Sequence, residues 1–119
     1  HKLSRPAARF ARYIVSGVLA NEDRVDAIIG AHAPSWPLAQ MAVVDRNILR
    51  VAIYEIIEGK ETPPKVAINE AVELGKVYGS ESTPKFVNGV LGSVMESYAS
   101  AKNRFVVSSL SPPQGRNNL

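Results

Sequence analysis

The stretch VVDRNILRVAIYEIIE, Val43 to Glu58, decides the fold. Wound at about 100° per residue, it is apolar over most of its circumference, and only Arg46, Asn47, Arg50 and Tyr54 gather into a polar wedge. A helix of that pattern is buried centrally, enclosed by others. Glu55 falls inside the apolar arc that Val44, Ile48 and Val51 define. A buried carboxylate needs a partner, here expected from the N-terminus of a neighbouring helix.

Working outward, the upstream segment RPAARFARYIVSGVLA places Pro6 in a favourable first turn and Phe10, Ile14, Gly17 and Val18 on one helical face, with Arg5, Arg9 and Arg12 as a basic stripe beside it. Asn21 reads as the cap of the next helix, EDRVDAIIGAHA, whose acidic first turn suits the helix dipole and which stops near Pro34. The connection APSWPLAQM brackets Trp36 between two prolines and predicts a hydrophobic plug rather than a ligand site.

Downstream, Gly59 and Pro63-Pro64 end the central helix. KVAINEAVELGKVYG follows, with Ala67, Ala71, Leu74 and Tyr78 as the expected core stripe and Asn69, Glu70, Glu73 and Lys76 on the far side. Gly79 closes that helix. Thr83-Pro84 caps and begins a fifth, with a stripe of Val87, Val90, Leu91, Val94 and Tyr98. The expectation is an all-α bundle of about five helices over residues 1–102. A polar, partly disordered tail over 103–119 follows, its Phe105 to Val107 patch able to dock one turn.

At 119 residues the chain suits one domain that can bury a core without staples. Cys is absent, which excludes disulfides, thiolate catalysis and cysteine-bound zinc. No run approaches the roughly 18 to 20 apolar residues of a membrane span, so a soluble protein with no membrane contact is expected. His1 stands where a Met would start a chain, which suggests that residues upstream are missing. The net charge of +3 permits a polyanionic partner without requiring one. His1 and His32 belong to no metal-ligand spacing, and no phosphate loop, nucleophile elbow or catalytic carboxylate pair is present. No catalytic residue, metal or cofactor is expected, and Glu70 and Glu73 read as solvated surface.

STPKFVNGVLGSV, Ser82 to Val94, carries the remaining candidates. Phe86 lies on the flank of its helix, roughly 90° to 100° from the core stripe. Its neighbours there, Gly89, Ser93 and Ser97, are too small to cover a ring, and Lys85 adjoins it. An aromatic and a lysine at a helix N-terminus suit a stacked base and a held phosphate. Equally, the ring could pack under another helix. Asn88, Gly89 and Gly92 suggest a helix junction and close helix approach.

Three blocks, WPLAQMAVVDRNILRVAIYEI, PPKVAINEAVELGKVYGSES and KFVNGVLGSV, resemble in order and spacing the C-terminal half of the NusB family of bacterial antitermination factors. That resemblance covers roughly Ala8 to Ser97. It implies a helical protein that binds boxA RNA together with NusE, a ribosomal small-subunit protein, acts on the RNA polymerase elongation complex indirectly, and catalyses nothing. It implies that Phe86 faces RNA, with Lys85 and Ser82 beside it, and that Asp45, near Arg46 and Arg50, faces NusE.

Two departures stand out. The Arg5 helix aligns better with the family's third helix than with its arginine-rich first helix, so that helix and its subdomain are expected to be absent from this chain. In GSESTPKF, Ser82 stands where some members carry an acidic RNA-facing residue. The alternatives are a NusB-like accessory domain of a ribosomal RNA cytosine methyltransferase and a structural homodimer formed through apolar faces left uncovered.

Overall fold

The structure, a computed structural model, describes residues 5–58 and 62–110, with side chains over 11–58 and 62–99. Its helices are α1 (Arg5–Ala20), α2 (Glu22–His32), α3 (Val43–Ile57), α4 (Pro64–Tyr78) and α5 (Thr83–Leu110), with a 3₁₀ turn at Leu38–Gln40. No strand occurs among the described residues. The all-α expectation therefore holds. α5 runs on to Leu110, past the boundary drawn at residue 102, and the rest of the predicted tail lies outside the described residues.

α3 packs against each of the other four helices, as its broad apolar arc demands. Leu49 and Ile53 are fully buried at its centre, meeting Val25 and Ile29 of α2 and Val87 and Leu91 of α5 in one continuous core. Each such side chain contributes about 1.5–3 kcal/mol by leaving water.

The edges of α3 differ from the expected wedge. Tyr54 is buried rather than polar-facing, and its ring meets Tyr13 edge-on at 6.0 Å. Gly17 is what admits it, because a Cβ there would collide with the Tyr54 ring. Asn21 also changes role. Its side-chain amide donates to the Gly17 carbonyl at 2.8 Å, closing α1 instead of capping α2.

The α4 stripe is rotated from the expected one. Ala67, Ile68, Ala71 and Gly75 are buried, while Leu74 and Tyr78 are exposed. α4 is clasped by α3 on one side and α5 on the other, so the seam bisecting those two contacts is buried and the expected stripe lies at its rim. Glu70 is exposed, as a solvated surface residue should be. It lines, with Glu55, Leu74 and Val15, an apolar groove of about 310 Å³ between α1, α3 and α4.

Glu55 is buried, as its place in the arc requires. Its partner is the hydroxyl of Thr62 just ahead of α4, so it comes from the N-terminal end of a neighbouring helix as expected. Burial pushes the Glu55 carboxyl above its ordinary value, the Thr62 hydrogen bond opposes this, and the Glu70 charge adds to the rise.

Gly89 and Gly92 do not mark close helix approach. A Cβ at either meets nothing within 4 Å, because both stand on the open flank of α5. The close approaches are at Gly17, Gly75 and Gly79.

This packing makes the glycines separable by experiment. Gly30→Ala and Gly92→Ala, both in open helical positions, should each raise stability by roughly 0.5–1 kcal/mol in urea melts, whereas Gly75→Ala should lower it, since its Cβ would stand 2.9 Å from Thr83 Cγ2. For Glu55, a raised native pKa means that the folded chain binds more protons than the unfolded one, so its contribution to stability falls as pH rises. Glu55→Gln should therefore match the parent in acid and melt at a higher temperature than the parent near neutral pH; a gap that narrows with rising pH would contradict this.

Candidate functional site

The site is built around the start of α5. α4 ends at Gly79, and the chain turns through Ser80 to Ser82 before Thr83 opens the next helix. Thr83 is fully buried, yet its hydroxyl is satisfied twice. It accepts the Ser80 backbone N–H at 2.9 Å and donates to Asp45 Oδ1 at 2.7 Å. Around the same side chain, Cβ atoms at Gly75 and Gly79 would stand 2.9 Å and 2.5 Å from Thr83 atoms, so only glycine allows α4 to reach it. The N-termini of α3 and α5 and the end of α4 are thereby fixed together.

One turn further on, the Phe86 N–H bonds the Ser82 carbonyl at 3.0 Å, and the ring emerges on the flank of α5. Phe86 is half-buried, so each of the two positions open to it from sequence is partly realised. The ring packs partly against the core and also contacts Trp36, with ring centroids 6.2 Å apart and planes tilted 52°. Lys85 and Ser82 are exposed beside it, Ser82 Oγ lying 3.2 Å from Ser80 Oγ.

Trp36 is not the plug that the flanking prolines suggested. It is 54% exposed, and the plug is made instead by Met41, which is buried, and Leu38, which packs on the core. The 3₁₀ turn after Pro37 aims those two inward and leaves the indole outside. Trp36, Phe86, Lys85, Pro34, Gly89 and His32 enclose an open cleft of about 350 Å³. His32 Nδ1 lies 2.8 Å from Ser93 Oγ, which fixes the imidazole at the edge of that cleft.

The residues near α3 divide sharply. Arg50 is held by a two-pronged ion pair to Asp26 of α2, Nε to Oδ1 and a terminal nitrogen to Oδ2, both at 2.8 Å, with Glu22 at 3.5 Å. The Asp26 hydrogen bonds raise its pKa further, so the guanidinium is a permanent clamp between α2 and α3. Asp45 is turned toward Thr83. Arg46 makes no ion pair among the described residues, and its Nε is buried without a hydrogen bond there. It stands beside Val43 and Val44, which are 60% and 37% exposed.

Asn88 is exposed at the rim of a separate shallow cavity where α4 meets α5, with Lys65, Asn69 and Met95. Among the described residues no group of three or more His, Asp or Glu could hold a metal, and no helix is long and apolar enough to cross a membrane.

The profile of the NusB family matches residues 1–96. The chain belongs to the NusB family. The transcription antitermination protein NusB of Heliobacterium modesticaldum is 45% identical over 100 residues, covering 84% of this chain and 48% of that protein. Among solved structures, T. maritima NusB is similar with a TM-score of 0.74 and 39% identity over 78% of this chain and 66% of that one. A structure of the antitermination factors NusB and NusE in complex with dsRNA gives a TM-score of 0.74 at 30% identity, covering 82% of this chain and 71% of the other. The chain thus spans about half to two thirds of the length of such curated NusB relatives.

In this NusB-family chain the expected flank position of Phe86 beside an exposed Lys85 agrees with the structure, whereas the structural weight of Thr83 and the exposure of Trp36 were not expected. Both had a signal. Thr-Pro at a helix start marks a cap, and a tryptophan between two prolines sits on a connection that cannot join a helix interior.

Thr83→Val keeps the buried shape and deletes the hydroxyl, leaving Asp45 and the Ser80 N–H without it. The expected cost is roughly 1–3 kcal/mol in chemical unfolding, and Thr83→Ser should retain most of the stability.

Proposed function

We propose that this chain is the RNA- and NusE-binding part of an antitermination factor, acting by binding rather than catalysis in the bacterial cytoplasm. It would hold boxA-type RNA with NusE and so act on the RNA polymerase elongation complex indirectly. The observation that carries this reading is the half-buried Phe86 ring beside exposed Lys85 and Ser82 at the start of α5, in a chain of NusB type. A half-buried aromatic is held in orientation by its packed part and offers its exposed surface to a base. The exposed Lys85 ammonium at the N-terminal end of α5 suits phosphate.

For the protein partner, the first turn of α3 offers what an interface uses: exposed Val43 and Val44 next to Arg46, a cation with no internal ion pair among the described residues. Asp45 contributes through its anchoring of α5 as well as through any contact of its own. Arg50 supports this surface from behind, because its charge is already matched by Asp26.

Titration with single-stranded boxA RNA separates the roles. Phe86→Ala should weaken binding by about fivefold or more at every salt concentration without changing the salt slope. Lys85→Ala should reduce the slope of log affinity against log salt by about 0.7. Phe86→Leu keeps apolar packing and should lose affinity while keeping its melting transition; full affinity in that variant would overturn the stacking role. Few cationic contacts are present, so the parent itself should bind weakly and show a shallow slope.

A further inference from the structure

We infer that Trp36 is a second nucleobase platform, stacking an unpaired base of the RNA adjacent to the one on Phe86, so that the two rings bind successive nucleotides. This rests on the RNA-binding reading above. The connection that carries Trp36 follows α2, whereas Phe86 belongs to α5, and the fold brings the two rings within 6.2 Å. A large aromatic that is 54% exposed, touching a second aromatic and flanked by an exposed lysine, has the composition of single-strand binding surfaces, where bases stack on rings and cations follow the backbone.

The geometry limits how a base can bind. At 6.2 Å and 52° the rings are already in ordinary aromatic contact, which leaves no slot for a third ring between them. Bases must therefore lie on outward faces, and the cleft of about 350 Å³ beside the rings is the space available for one. Gly89 forms part of its wall, and a Cβ added there would have nothing within 4 Å, so that wall is open. His32, steadied by Ser93, and Lys85 stand at the margins, where ribose and phosphate would run. Trp36 is preorganised for this. Its backbone N–H bonds the Ala33 carbonyl at 3.1 Å, and Pro34 and Pro37 stiffen the chain on either side.

The test is direct, because Trp36 is the single tryptophan of the chain. Single-stranded boxA RNA should quench its fluorescence, with a midpoint equal to that measured by anisotropy of labelled RNA. Trp36→Ala should weaken binding by about fivefold or more, Trp36→Phe should recover most of the loss, and Gly89→Leu should weaken binding with both rings present by filling the cleft. Thermal melts of each variant report whether the fold survives; if Trp36→Ala loses its transition, Gly89→Leu and the quenching of the parent decide. Should Phe86→Ala weaken binding while Trp36→Ala and Gly89→Leu do not, the platform is refuted and the RNA-binding reading stands. Should the parent bind no RNA, or Phe86→Ala have no effect, the underlying reading fails and the platform with it.

Discussion

A buried threonine hydroxyl organises the end of this bundle where α3, α4 and α5 meet. Thr83 has no exposed surface, and its oxygen cannot be left unsatisfied there without a cost of about 1–3 kcal/mol. Asp45 accepts its proton and the Ser80 N–H donates to it, so the requirement is met by α3 and by the turn after α4. The close approach of Gly75 and Gly79 completes the seat. Once Thr83 is fixed, the rotation of α5 is fixed, and with it the flank on which Phe86 and Lys85 stand.

A second constraint acts at the other edge of α3. The Arg50 guanidinium and the Asp26 carboxylate are both shielded, at 17% and 21% side-chain exposure, and neither could stay there alone. Their pairing sets α2 against α3, and α2 in turn leads into the connection that presents Trp36. Arg46, four residues earlier on α3, lacks such a partner among the described residues. Two arginines one helical turn apart thus differ: one clamps α2 to α3, and the other, half-buried beside exposed Val43 and Val44, has no ion pair among the described residues.

Much of the candidate site was legible in the sequence. Thr83-Pro84 marked the start of α5, and the apolar stripe from Val87 to Val94 was buried as periodicity required. Phe86 fell between stripe and solvent, and its half-burial is what that angle dictates. Glycines and aromatics on connections misled for a common reason. Gly89 and Gly92 have the same composition signal as Gly75 and Gly79, but whether a neighbour approaches depends on which side other helices pack. Trp36 has the size of a plug, but Leu38 and Met41 followed within reach of the same cavity and filled it first.

What the sequence determined by itself was local and periodic. The helix boundaries at proline and glycine, the central place of α3 and the burial of Glu55 all follow from residue type and spacing along one chain. The tertiary structure alone decided everything that depends on two elements meeting: the rotation of the α4 seam that left Leu74 and Tyr78 exposed, the assignment of Arg50 to Asp26, and the meeting of Trp36 with Phe86. Periodicity tells how wide a helix face is apolar, but not which neighbours divide it. Those neighbours are chosen by shape and by the pairing of buried polar groups, and both are properties of the assembled core.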